Sequence, residues 1–196
     1  MKKIVIATKN QGKLREMRQA FAHLPVEVVA LDAFAEIPEP VEDGATFEEN
    51  ARIKAHAYAL ATHCACVADD SGLEVAALGG APGVHSARFS GTHGDDAANN
   101  EKLVAELAAR GLTQSAADYR CALVFEDTDG TVYTADRRCD GTVRTQPRGE
   151  GGFGYDPYFY VGERSMAELT FAEKDAISHR GRALRALVRQ LEEVLV

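Results

Sequence analysis

No apolar run in this 196-residue chain approaches the ~20 residues that a membrane span requires. The amino terminus, Met1-Lys2-Lys3, is basic, but only Ile4-Val5-Ile6-Ala7 follow before Thr8-Lys9-Asn10, too short for the apolar core of a secretory signal. The chain is therefore read as cytoplasmic, with no membrane partner. Positive charge is in deficit: 22 Lys and Arg against 30 Asp and Glu give a formal charge of −8. That argues against a broad nucleic-acid or acidic-membrane surface and leaves room for a local basic pocket. Cysteine is sparse. Cys64 and Cys66 are one residue apart, a spacing of neither a zinc site nor a thioredoxin-type motif, and Cys121 and Cys139 stand alone. Reduced, partly buried thiols fit a cytosolic chain. Internal repeats, low-complexity tracts and domain linkers are absent, so one domain over residues 1–196, or one domain in two lobes around a cleft, is expected.

The apolar pattern that remains alternates between strand and helix. Lys3 to Ala7 is a short β-branched run, a buried first strand. After Thr8-Lys9-Asn10-Gln11-Gly12, Leu14, Met17, Ala20 and Phe21 recur at helical spacing until Pro25. Val26 to Leu31 reads as a second strand, and the acidic, proline-containing stretch 33–43 as a loop. Thr46 with Glu49 forms a capping-box pattern ahead of an Ala-rich helix over 47–62. Cys66-Val67-Ala68 is a buried strand ending at Asp69-Asp70-Ser71-Gly72. Asp95 to Arg110 is a helix closed by Gly111. Tyr119–Glu126 and Val132–Cys139 form a hairpin, with Tyr119, Cys121, Leu123 and Phe125 on one face. The last helix starts near Ser178 and carries the stripe Leu184, Leu187, Val188, Leu191, Val194, Leu195. The fold class is α/β with a mixed sheet.

The run Gly151-Gly152-Phe153-Gly154-Tyr155-Asp156-Pro157 is the most unusual segment. Glycine permits positive φ and close approach, an aromatic face can stack on a flat ligand, and Asp156 before proline is held extended. It is either a buried turn around a core Phe or a rigid ligand loop. Four further places carry candidate chemistry. The strand-to-helix turn Thr8-Lys9-Asn10-Gln11-Gly12-Lys13 offers helix N–H groups and a cation to a phosphate, although its glycine spacing is not that of a P-loop; an unliganded capped turn is the alternative. Asp69 and Asp70 are costly at the end of an apolar strand unless used. Neighbouring side chains on a strand point to opposite faces, so one should reach the cleft, as Mg²⁺ ligand or general base, and the other should support the turn. The alternative is an Asx turn. Glu42 could bind metal, and Asn50 and Lys54 share one helix face, with Lys54 a candidate for phosphate; alone, both charges read equally as solvated surface. Finally Lys174 precedes Ser178-His179-Arg180: if Ser178 caps the last helix, His179 and Arg180 are cations in its first turn, where the dipole disfavours them; the alternative is a basic surface turn. Together these residues fit a Mg²⁺-nucleotide.

These blocks resemble the inosine triphosphate pyrophosphatase family nearly end to end. The matching segments are Ala7-Thr8-Lys9-Asn10 through Gly12-Lys13, Thr46-Phe47 with Glu49-Asn50, Ala68 to Leu73, Gly79 to Gly83, Ser86-Ala87-Arg88, Gly151 to Pro157, Glu173-Lys174 and Ile177 to Gly181. The resemblance implies an elongated two-lobed α/β domain with a long mixed sheet flanked by helices, an active site in the cleft between the lobes, and a homodimer. It implies Mg²⁺-dependent hydrolysis of ITP, dITP and XTP to the monophosphate and pyrophosphate. Carried over by motif, Asp70 is the proton acceptor and, with Glu42, a metal ligand. Thr8, Lys9, Asn10, Gln11, Gly12, Lys13, Lys54, Ser71, Phe153, Gly154, Tyr155, Asp156, Lys174, His179 and Arg180 bind substrate. Lys9 stands where many members have glycine. A nucleotide-binding module without turnover and a pyrimidine-directed pyrophosphatase are the competing readings.

Overall fold

The computed structural model describes residues 1–195. In chain order the strands are β1 (Lys2–Ile6), β2 (Val26–Ala30), β3 (Ala65–Val75), β4 (Gln114–Glu126), β5 (Val132–Arg144), β6 (Phe159–Val161) and β7 (Arg164–Ser165). The helices are α1 (Gln11–Phe21), α2 (Phe47–Thr62), α3 (Asp96–Ala108), α4 (Phe171–Ile177) and α5 (His179–Leu195). The strands form one seven-stranded open sheet in the order β2-β1-β3-β4-β5-β6-β7. β1 runs parallel to β2 and to β3, while β5–β6 and β6–β7 are antiparallel. The sheet is thus mixed and flanked by helices, as the alternating pattern predicts. No helix of the described residues is long and apolar enough to cross a membrane.

The chain packs as two compact units. The first comprises Met1–Asp70, Cys121–Arg137 and the segment from Arg180; the second comprises Ser71–Arg120 and Arg138–His179. In the first unit the alternation of strand residues builds two cores. Ile4, Ile6, Ala65 and Val67 meet Leu14, Met17 and Phe21 of α1 and Leu184, Leu187 and Leu191 of α5. Val5, Ala7, Cys66 and Ala68, one residue out of step, meet Ala51, Ala55, Tyr58 and Ala59 of α2. The second unit has its own core of Leu73, Val75, Leu103, Leu107, Tyr119, Val143, Tyr155, Phe159 and Met166.

Helix ends follow local chemistry. Thr46 and Glu49 form the reciprocal capping box that the sequence predicts for α2, and His63 closes that helix in the left-handed region at φ 53°. Asp95 caps α3, which stops at Ala108 before Gly111 at φ 68°. Six elements depart from expectation. β3 does not end at Asp69-Asp70 but continues to Val75. Both acids are buried and partnered there, so the strand holds them without breaking. β4 and β5 are longer than their apolar cores because each continues into the second unit with more polar sequence. α4, β6 and β7 are too short for periodicity to reveal, although the Thr170–Glu173 capping box marks the start of α4.

Candidate active site

The turn after β1 is fixed by its own side chains. Ala7 N–H donates to the Val67 carbonyl at 2.8 Å, tying the carboxyl end of β1 to β3. Thr8 Oγ1 accepts from Asn10 N–H at 3.2 Å, and Asn10 Oδ1 accepts from Lys13 N–H at 3.0 Å as the cap of α1. Lys13 therefore rises from the first helical turn beside the next strand of the sheet. Ligands of α/β sheets bind at such carboxyl ends. Lys9 points elsewhere, to Glu39 at 2.7 Å, and is well exposed. A cavity of about 370 Å³ lies alongside, lined among others by Thr8, Lys9, Gln11, Phe34, Ile37 and Tyr58.

Strand parity separates the adjacent aspartates. Asp69 is in step with Ala65 and Val67 and so belongs to the α1/α5 face; Asp70 is in step with Cys66 and Ala68 and belongs to the α2 face. Asp69 Oδ2 meets Lys13 Nζ at 2.9 Å and Arg180 Nε at 3.4 Å, and Arg180 Nη1 donates onward to Glu16 Oε2 at 2.8 Å. Burial by itself raises the Asp69 pKa; the Lys13, Arg180 and Lys54 cations overcome it and hold the carboxyl well below the usual range. Asp70 has different company. Its Oδ2 accepts from Asn50 Nδ2 at 3.1 Å, and its Oδ1 is 3.5 Å from Lys54 Nζ, which also contacts Glu42 Oε2 at 2.8 Å. Here burial wins over the nearby lysines, and Glu42 and Asp69 add to it, so the Asp70 pKa is raised. Two neighbouring carboxyls thus sit on opposite sides of their ordinary value. Lys54 is pushed down by burial, but Asp70, Asp69 and Glu42 more than compensate and keep it charged.

The glycine–aromatic run lies in the second unit and is a braced loop. Asp156 is buried; its Oδ2 accepts from Phe153 N–H at 2.9 Å and from Lys174 Nζ at 2.6 Å, and its Oδ1 from Tyr119 Oη at 3.3 Å. Gly154 N–H donates to Asp96 at 2.8 Å, and its carbonyl accepts from Asn100 Nδ2 at 3.0 Å. Gly152, at φ 74°, could not carry a side chain, because a Cβ there would strike the Asp156 carboxylate. Tyr155 is a core residue whose hydroxyl donates to the Ser86 carbonyl at 2.7 Å. Phe153 is half-buried, with Lys174 Nζ 4.6 Å from its ring centre. His179 is buried and stacked on Tyr119 at 4.6 Å between ring centres, inclined by 19°. Ser71, half-buried, follows Asp70 on β3.

The structure therefore gathers Lys13, Glu42, Lys54, Asp69, Asp70 and Arg180 in the first unit, and Phe153, Asp156, Lys174 and His179 in the second. It gives Arg180, read from sequence as a substrate contact, two carboxylate partners within its own unit. Glu16, Asn50 and Tyr119 carry interactions that sequence reasoning did not assign. Glu16 lies one turn beyond Lys13 and gives no sequence signal of burial. Asn50 does: it is a polar residue among Phe47, Ala51, Ala55 and Tyr58, the buried stripe of α2. Tyr119 reads as an ordinary strand aromatic.

Known proteins resemble this chain along its whole length. A sequence from Syntrophobacter fumaroxidans described as dITP/XTP pyrophosphatase is 52% identical over 194 residues, covering 98% of this chain and 83% of that one. Another so described, from Geobacillus kaustophilus, is 49% identical and covers 100% and 97%. Among solved structures, a HAM1 protein from Coxiella burnetii superposes with a TM-score of 0.89 at 39% identity over 99% of this chain and 100% of that one. A nucleoside-triphosphatase, dITP/XTP pyrophosphatase, from Mycobacterium abscessus gives 0.75 at 44% identity over 96% and 99%. The profile of the Ham1 family matches residues 4–190, and the chain belongs to that family.

Proposed function

We propose that this chain is a nucleoside triphosphate pyrophosphatase that hydrolyses dITP, ITP and XTP to the monophosphate and pyrophosphate, clearing deaminated purine nucleotides before they enter DNA or RNA. The observation that carries the proposal is the divided aspartate pair: Asp69 locked as an anion between Lys13 and Arg180, Asp70 with a raised pKa beside Asn50, Lys54 and Glu42. A raised carboxyl pKa suits a proton acceptor. Asp70 takes the proton of the attacking water as its oxygen bonds to the α-phosphorus, the bond from that phosphorus to the bridging oxygen breaks, and pyrophosphate leaves. Asp69 instead positions Lys13.

Carboxylates and cations are interleaved in the first unit. Lys13, Lys54 and Arg180 face Glu16, Glu42, Asp69 and Asp70. Glu42 and Asp70, which share Lys54, offer carboxylate oxygens of the kind a hard divalent ion takes. Mg²⁺ uses one or two carboxylates together with phosphate oxygens and water. Glu42 and Asp70 would hold the ion, which would neutralise phosphate charge. Lys13, held by Asp69, and Lys54 offer their charge to the triphosphate, and the turn Thr8–Lys13 receives phosphate at the start of α1. Phe153 stacks on the base, with Gly154, Tyr155, Asp156 and Lys174 shaping its wall. His179 donates to the 6-oxo group that distinguishes hypoxanthine and xanthine from adenine, and Arg180 holds the Asp69–Lys13 pair. In the same reading the enzyme is a cytoplasmic homodimer acting on small-molecule nucleotides.

A pyrophosphate-release assay with Mg²⁺ over ITP, dITP, XTP, the four common NTPs and the pyrimidine dNTPs tests the proposal. Turnover highest on ITP, dITP and XTP is expected. Binding without release of pyrophosphate, or preference for a pyrimidine, refutes it.

A further inference from the structure

Asp70 is held by a residue whose role is otherwise unexplained. Asn50 sits in the second turn of α2 and is 1% exposed, within a stripe otherwise made of Phe47, Ala51, Ala55 and Tyr58. A buried amide with unused polar atoms would be costly. Both ends are used. Its Oδ1 accepts from the backbone N–H of Gly44 at 2.8 Å, and its Nδ2 donates to Asp70 Oδ2 at 3.1 Å. The first bond dictates the second: with the oxygen turned to a backbone donor, only the amino group can face Asp70. The approach of the 44–46 segment is as close as a glycine allows, since a Cβ on Gly44 would stand 2.8 Å from Asn50 Oδ1 and 2.7 Å from Glu49 Cβ. The capping box of α2 fixes that same segment, through Ala45 N–H and Thr46 N–H to Glu49.

We infer that Asn50 is a positioning residue that sets the rotation of the Asp70 carboxylate through an amide clamp anchored at Gly44. The terminal torsion of an aspartate is broad and two-fold, so its backbone alone does not fix where each oxygen points. Lys54 Nζ lies 3.5 Å from Oδ1, near enough to draw the carboxylate into a close ion pair if nothing opposed it. The Asn50 donor opposes it by engaging the other oxygen. Asp70 is thereby kept partly disengaged from Lys54, with Oδ1 directed toward the Lys54 and Glu42 side. The role is distinct from that of a scaffold residue, because it acts on the orientation of the Asp70 carboxylate and not on the packing of α2.

The inference rests on the reading of Asp70 as proton acceptor. Asn50→Asp retains an acceptor for Gly44 N–H and presents an oxygen, not a donor, to Asp70; Asn50→Leu removes both bonds at similar volume. Steady-state kinetics on dITP, melting temperature and crystal structures of wild type, Asn50→Asp, Asn50→Leu and Asp70→Asn decide the matter. Loss of a partner that orients a site carboxylate costs about 10- to 100-fold. That loss is expected in kcat, with KM unchanged; Asn50→Asp, which buries a second carboxyl beside Asp70, should melt below wild type, so the kinetics are compared at a temperature where all the variants are folded. In the Asn50→Leu crystal the Asp70 carboxylate should be rotated toward Lys54. If both Asn50 variants keep wild-type kcat while Asp70→Asn is inactive, or if the loss lies wholly in KM, the inference is overturned. If wild type releases no pyrophosphate, the functional reading fails instead. The crystal structure then decides positioning alone, and an unmoved Asp70 overturns it.

Discussion

Arg180→Met removes the buried cation from a chain of charges, Glu16–Arg180–Asp69–Lys13, that runs from the interior to half-buried Lys13. Arg180 is 3% exposed, donates to Glu16 at 2.8 Å and approaches Asp69 at 3.4 Å. Burial lowers its pKa, but Asp69 and Glu16 raise it further than burial lowers it, so the guanidinium is charged throughout the accessible range. Methionine fills much of the same volume without charge, removing the guanidinium that donates to Glu16 and one of the cations that face Asp69. Breaking a buried pair this way costs about 3–5 kcal/mol. For a chain of 196 residues, at roughly 2–4 °C per kcal/mol, the melting temperature should fall by roughly 6–20 °C at pH 7. Adding Glu16→Gln should recover part of this, because one of the two carboxylates that lost the guanidinium is then neutral. The pH dependence has a definite sign. The depressed Asp69 pKa contributes stability that is complete above the unfolded value near 4 and is lost as pH falls through the lower folded value. Without the guanidinium, burial regains ground and the folded pKa of Asp69 rises. Between pH 7 and about pH 2, the gap between variant and wild type should then stay level down to about pH 4 and narrow below it, where wild type has more of the Asp69 contribution to lose. Thermal denaturation of both proteins across that interval is the assay. A drop under about 3 °C at pH 7, or a gap that widens on acidification, refutes the electrostatic account.

Asp70→Asn should lower pyrophosphate release by about 10²–10⁴-fold while the fold persists, and near-normal turnover would remove Asp70 as the base. Because the Asp70 pKa is raised, protonation should switch the wild-type enzyme off above the ordinary carboxylate range; an acid limb of kcat/KM at or below about pH 4 contradicts this. Phe153→Ala should raise KM for ITP by roughly 5- to 150-fold, the equivalent of about 1–3 kcal/mol of stacking, and an unchanged KM returns the loop to a scaffold role. Burial pushes the Cys121 thiol up to about 12 and raises Cys66 as well, so iodoacetamide at pH 8 should modify half-buried Cys64 and spare both, as peptide mass spectrometry would report.

The sequence determined whatever depends on neighbours along the chain. The spacing of Leu14, Met17 and Phe21, the Thr46–Glu49 box and the closing stripe through Leu191 specify α1, α2 and α5, because helix periodicity and capping are local. Strand alternation likewise required Asp69 and Asp70 to face opposite ways. Motif order singled out the residues of both units. Which acid meets which partner depends instead on tertiary packing. Asp69 and Arg180 are separated by 111 positions, and Glu16 and Arg180 by 164. No local pattern encodes such a pairing; it follows from α1 and α5 packing on one face of β3. That packing gives Asp69 two cations at close range, whereas α2 offers Asp70 an amide and a lysine shared with Glu42. The same distinction governs the loop Gly151–Pro157. Its composition announced a special backbone, and the burial of Asp156 among Phe153, Lys174 and Tyr119 made that acid a brace. The identity of each charge is written in the chain, but its pKa and its role are set by what folding brings against it.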